Sequence, residues 1–215
     1  MHNPFHAHKG FWSSAQKQSM WFGVFLLAMA AVVQITLGQY GARWADGATY
    51  AHDLFLDHLP IVNLDFIIVG FAILTWVLAW CLLLVSPRRL IFGTKAIALF
   101  IICRAFFMSL THMGPYPGAM NPGVVNTGWW LYHRVTFQGN FFFSAHTAFP
   151  LLIALIFWDD NRWRPIFLGL GVLFGATMLL SHTHYSIDVF AAPFIVYGTY
   201  RITEKLFPKD RALMQ

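Results

Sequence analysis

The sequence predicts an all-α integral membrane protein, a bundle of six transmembrane helices. Composition and the placement of charge predict it. Residues of the AVILMFWYC set make up 58% of the 215 and charged residues only 11%, with a mean hydropathy of +0.57. A soluble domain carries roughly a quarter charged residues. The charges also fall in short runs between long apolar stretches, as membrane proteins place them. The net charge of +5 is therefore no nucleic-acid signal, and a disordered chain or a secreted disulfide scaffold is excluded with it.

A hydrocarbon core of about 30 Å needs about 20 helical residues. The first such stretch runs from about Met20 to Gly38 and the second from about Leu64 to Val85. The third, about Leu90 to Leu110, is interrupted by Lys95 and Arg104. The fourth covers about Phe141 to Trp158, the fifth about Pro165 to Leu180, and the sixth about Ile187 to Phe207. The first is long for a signal-peptide core and lacks a small-x-small cleavage site, so it reads as a helix.

Six spans put both termini on one side. That side receives Lys9, Lys17, Arg88, Arg89, Arg162, Arg164, Arg201, Lys205, Lys209 and Arg211, ten of the fourteen basic residues. The positive-inside rule makes it cytoplasmic. The expected organisation is an N-terminal tail over 1–19, a membrane domain over 20–207 with a long outer loop at 113–140, and a tail over 208–215. The short loops suggest a bacterial inner membrane, with the outer face toward the periplasm.

Ten histidines in so apolar a chain need sorting. His2, His6 and His8 read as a solvated tail, without the fixed spacing of a metal site; His52 and His58 read as solvated loop residues. His112, His133, His146, His182 and His184 all fall at outer helix ends or in outer loops. Ionisable groups gathered at one membrane face mark a functional site by default. Cys81 and Cys103 sit at different depths, which argues against a disulfide and for buried free thiols.

Local spacing assigns chemistry within this set. His184 and Asp188 are four apart, so they share a face if the helix begins by Ser186. An Asp on a His ring fixes the tautomer and leaves the other nitrogen as nucleophile or base. Ser144 and Thr147 flank His146 at a helix start, where free N–H groups and the dipole attract anions; a His beside phosphate is suited to general acid work. Arg104 is either a bidentate phosphate ligand or a structural residue, paired with Asp65 or snorkelling.

Phe143-Ser-Ala-His146-Thr followed by His184-Tyr-Ser-Ile-Asp188-Val resembles the two signature motifs of the sphingomyelin synthase family, F-S-G-H-T and H-Y-T-x-D-V. That family lies within the type-2 phosphatidic acid phosphatase superfamily. Ser86-Pro-Arg88-Arg89, Cys103-Arg104 and Gly114-Pro115-Tyr116-Pro117-Gly118 are similar to further family segments, so the resemblance covers roughly residues 86 to 207. It implies six spans with the catalytic site at the outer face and a triad of His146, His184 and Asp188. His184 would attack phosphorus and His146 protonate the leaving oxygen, through a phosphohistidine and without metal or other cofactor. Arg104, Ser144, Thr147, His182, Asn140 and Tyr185 would line the substrate.

The partners so implied are a phospholipid donor and a lipid alcohol such as ceramide or diacylglycerol, or water in a phosphatase. The family's Cys-Gly-Asp is Gln138-Gly139-Asn140 here and its Gly is Ala145, while His182 stands where the wider superfamily carries an Arg. Trp129, Trp130, Tyr132 and Tyr116 form either an aromatic box for a quaternary ammonium or an interfacial belt. A haem protein is a competing reading, but His184 with Asp188 suits an orienting pair better than axial ligands. A transporter would spread its ionisable groups through the bilayer depth.

Overall fold

The computed structural model describes residues 8, 10–45, 47–119 and 141–214. Among these every regular element is helical. Helix α1 spans Ser14–Ala45; a π-helical turn at Phe66–Phe71 leads into α2, Ala72–Val85. Then come α3 at Pro87–Leu110, α4 at Ala145–Ile156, α5 at Trp163–Leu180 and α6 at Ser186–Leu206. A short α7 closes the chain at Pro208–Ala212.

Four of these segments are long and apolar enough to cross a membrane: Ser14–Trp44, Phe66–Val85, Pro87–Leu110 and Trp163–Leu180. Helix α4 is apolar but has 12 residues, against the 18 expected for that stretch. The chain before it is held by capping contacts rather than helical ones. Helix α1 outruns its apolar stretch at both ends, taking in Ser14 to Ser19 and Gln39 to Ala45, flanks with no proline to stop it. Large apolar side chains on the outside, among them Trp21, Phe66, Val172 and Phe194, suit lipid rather than water.

The bundle closes around α3. Helix α1 lies along one side of it, α6 packs on another, and α4 is held between α5 and α6. Phe92, Phe100, Phe143, Phe149, Phe157 and Phe167 fill the core, with Trp76 stacked on Phe149 at 3.9 Å. Gly175 on α5 allows the close crossing with α6, since a Cβ there would sit 3.2 Å from the Val189 side chain. Helical threonines return their hydroxyls to the preceding turn: Thr94 to Leu90 O, Thr177 to Leu173 O, Thr199 to Ile195 O. That satisfies a polar group where no water is available.

Contacts define the two ends of the bundle. At one, Arg89 pairs with Asp159, Glu204 takes Arg201 and Arg211, and α7 folds back onto the bundle. There Lys95, which interrupts the third apolar stretch, is 2% exposed and ion-paired with Asp210 of α7. Ser19 of α1 accepts from Lys95 at 2.6 Å and donates to Asp210 at 2.7 Å. His8 is not a free tail residue, since its ring bonds the Leu84 carbonyl at the end of α2 and Trp12; His2 and His6 lie outside the described residues. Cys81 and Cys103 are both free, but Cys81 is exposed on the outside of α2 rather than buried.

Removing one partner of a buried ion pair strands the other, at a cost of about 3–5 kcal/mol, whereas an apolar replacement of both can be nearly neutral. Lys95→Ala and Asp210→Ala should each lower the thermal unfolding temperature in nanodiscs markedly. The double variant Lys95→Met with Asp210→Leu should recover most of the loss.

Candidate functional site

At the other end of the bundle two helix N-termini meet. Ser144 is the N-cap of α4; its hydroxyl accepts from the Thr147 N–H at 3.4 Å and from the Thr147 hydroxyl at 3.2 Å. His146 thus falls in the first turn of α4. Among the described residues the N–H groups of Ala145 and His146 in that turn have no protein acceptor, the arrangement that favours an anion.

Helix α6 begins at Ser186 with Tyr185 as N-cap. Asp188, three residues into the helix, reaches back: its Oδ2 accepts the Tyr185 N–H at 3.0 Å and faces His184 Nδ1 at 3.3 Å. The pair forms as the spacing predicts but by another route. His184 precedes the helix, so the two residues do not share a helical face. The N3 carboxylate meets them as an N3 acid does in a capping box. Asp188 is fully buried and His184 nearly so. The Asp188 carbonyl also accepts the Ser144 N–H at 3.2 Å, which ties the start of α4 to the start of α6.

This brings the two imidazoles together, with ring centroids 6.4 Å apart. Arg104 on α3 donates Nε to the Phe143 carbonyl at 3.0 Å and lies near enough to His146 to act on it through charge. No ion pair joins Arg104 to Asp65 among the described residues. Among the described residues Asp188 Oδ1 and His146 Nδ1 are buried without a hydrogen-bond partner. Buried polar atoms of this kind are rarely left unpaired unless something else meets them.

His182 adds a third imidazole. The turn between α5 and α6 is a Schellman motif: the Thr183 N–H bonds Met178 O and the His182 N–H bonds Leu179 O, both at 3.2 Å. His182 occupies the left-handed position usually given to glycine, with φ +54°. It is buried, both ring nitrogens lack partners among the described residues, and its ring meets Tyr116 edge-on at 5.1 Å. Side chains in that region cost of order 1–2 kcal/mol, and such strain collects at functional sites.

The loops over this end are pinned to it. Tyr185 donates its hydroxyl to Gly114 O at 2.8 Å and receives the Ala51 N–H at 3.2 Å. Gly114 is required where it stands, because a Cβ would come 2.1 Å from the Ala48 carbonyl oxygen. Asp53, which no motif in the sequence marks, is 7% exposed. Its Oδ2 accepts the Ser186 N–H at 2.7 Å and its Oδ1 those of Phe55 and Leu56. Burial pushes the Asp53 carboxyl up, but these donors outweigh it and hold it below its ordinary value. At the rim Tyr116 donates to Asp57 at 2.5 Å, and that bond pushes the phenol up to about 12.

His112 does not join the cluster; it packs against Tyr40 and Trp44 of α1. Asn140, His133, Trp129, Trp130 and Tyr132 lie outside the described residues, so only Tyr116 of the aromatic group is placed. Among the described residues no three His, Cys, Asp or Glu side chains converge to hold a metal ion. The arrangement offers an oriented imidazole, a second imidazole on the facing helix, an arginine and an N-terminal anion site.

Residues 139–206 match the family model described as PAP2 superfamily C-terminal. The matched segment holds α4 to α6, and with them His146, His182, His184 and Asp188, while Arg104 and Asp53 lie before it. No curated protein matches the chain. The match supports the type-2 phosphatidic acid phosphatase superfamily and an enzyme of the phosphoester-cleaving lipid phosphatase or phosphotransferase kind.

Removing the Tyr185 hydroxyl should strand the buried Gly114 carbonyl and take its partner from the partly exposed Ala51 N–H, at about 1–3 kcal/mol. Tyr185→Phe is therefore expected to lower the unfolding temperature in nanodiscs, and an unchanged temperature would mean that the loops are held by other contacts.

Proposed function

We propose that the chain is a membrane lipid phosphotransferase that moves a phospholipid headgroup to a lipid alcohol such as ceramide or diacylglycerol. The observation that carries this reading is the Asp188–His184 bond with the His146 ring facing it. With Nδ1 held by Asp188, His184 presents its Nε2 lone pair. Nε2 attacks phosphorus, a P–N bond forms, and the P–O bond to the leaving lipid breaks. His146 gives that oxygen its proton. In the second half the acceptor hydroxyl loses its proton to His146, its oxygen bonds phosphorus, and the P–N bond breaks to release His184.

Arg104, His182, Asn140 and the first turn of α4, with Ser144 and Thr147, hold the phosphoryl oxygens; Tyr185 supports the loop above them. Charge stabilisation from arginine and aligned N–H groups suits the transition state. Six spans, with α4 and α6 completing the four long ones, put this site at the outer face and the basic end in the cytoplasm. A bacterial inner membrane with the site toward the periplasm fits that arrangement.

Asp188→Asn is expected to lower turnover at least about 10³-fold while the protein remains folded. His146→Ala should fail on lipid donors yet keep much of its rate on a p-nitrophenyl phosphodiester, whose leaving group needs no proton. The reading as a whole is tested in nanodiscs with phosphatidylcholine, phosphatidylethanolamine and phosphatidic acid. Each is offered with and without ceramide or diacylglycerol, and products are read by mass spectrometry. A headgroup on the added alcohol is the expected product. Release of a water-soluble phosphate indifferent to acceptor would replace transfer by hydrolysis on the same residues, and no cleavage of any donor would overturn the reading.

A further inference from the structure

The first loop, residues 47–64, lies outside the family-matched segment, yet it makes the closest polar contacts with the residues around His184. The Ser186 N–H is the first in α6 without an intrahelical acceptor, and two carboxylates stand near it. Asp188 sits two residues on; Asp53 comes from 133 positions away. Asp53 takes the Ser186 N–H, and Asp188 Oδ2 takes Tyr185 N–H and His184 Nδ1. Unpaired N–H groups at a helix start draw carboxylates. Without Asp53, Asp188 would be the nearest acid to an unpaired donor, and turning toward it would weaken its hold on His184.

We propose that Asp53 is a positioning residue: by occupying the Ser186 N–H it reserves the Asp188 carboxylate for His184. The other bonds of the loop serve the same end. Asp53 Oδ1 is fixed by its own turn at Phe55 and Leu56, and Ala51 bonds the Tyr185 hydroxyl. On the far side of the turn, the Val62 N–H bonds Leu180 O at 2.8 Å. The segment from Leu180 to Ser186 is thus held at both ends by one loop. The inference rests on the proposed role of His184, and it adds a residue that the motifs do not contain.

Two variants of the full chain in nanodiscs test it. Asp53→Ala removes both acceptor oxygens and leaves the Ser186 N–H unpaired. Ser186→Pro removes the N–H together with the hydroxyl beside it; proline suits the first helical position, and Tyr185 before it already has the extended backbone, φ −68° and ψ 157°, that a following proline requires. The first readout is the ¹⁵N spectrum of labelled histidine, with His184 assigned by subtraction of a His184→Gln spectrum; the second is the split between kcat and KM. Wild type should show His184 in one tautomer, protonated at Nδ1.

Asp53→Ala should show mixed tautomers and a kcat lowered about tenfold, the scale of lost orienting contacts, with KM within about twofold. Ser186→Pro leaves Asp188 no competing donor and should keep the wild-type tautomer and a kcat within about twofold, alone and combined with Asp53→Ala. A lower unfolding temperature for Asp53→Ala with the His184 spectrum and the kcat of the folded protein unchanged would overturn the proposal, as would mixed tautomers in Ser186→Pro. If wild type cleaves no lipid phosphoester, the proposed activity fails while the tautomer readout still decides the role of Asp53.

Discussion

The rest of the candidate site depends on the bonds made by Asp188. Its carboxylate serves the N-cap of its own helix and the imidazole of His184 at once, and its backbone carbonyl receives the N–H of the residue that caps the facing helix. A fully buried carboxylate is costly unless several donors surround it. Two contacts on Oδ2 offset that cost and fix the ring of His184, so one residue both starts α6 and orients the imidazole. The tie to Ser144 then sets where His146 can lie. Positions that a catalyst needs held to within fractions of an ångström are determined by helix capping, which the fold requires in any case.

The two ends of the bundle handle charge in opposite ways. At the basic end Lys95, Asp210, Arg89 and Glu204 are matched with partners, and the ions serve packing. At the histidine end Asp188 Oδ1, His146 Nδ1 and both nitrogens of His182 are buried without partners among the described residues. Buried polar atoms left open at one end and satisfied at the other mark the first as the end where a polar ligand would find partners. A lipid phosphate, with a charged head and apolar chains, fits a site placed at the end of an apolar bundle.

Most of the helices were legible because apolar runs long enough to span a bilayer have few alternatives. Their ends were less so. Helix α4 starts only at its Ser144 cap, and α1 continues well past its apolar stretch. The His184–Asp188 pair was legible from spacing, although the contact is a capping reach rather than a shared face. His112 was grouped with the site because it lies at the same depth; depth does not say which way round the bundle a residue points. Asp53 left a partial signal, since an Asp two and three residues before the N–H groups it accepts is a local turn. Its bond to Ser186 depends on tertiary folding, and no local pattern contains it. His182 was noted by its place in the motif, but its left-handed backbone appears only with the turn in view.

The most direct test of the central claim is the stereochemical course at phosphorus, measured with a donor made chiral at that atom by oxygen isotopes or sulfur. Two in-line displacements, first by His184 and then by the acceptor, predict retention of configuration whether the acceptor is a lipid alcohol or water. Inversion would mean a single direct displacement, with the imidazole of His184 acting as something other than the nucleophile.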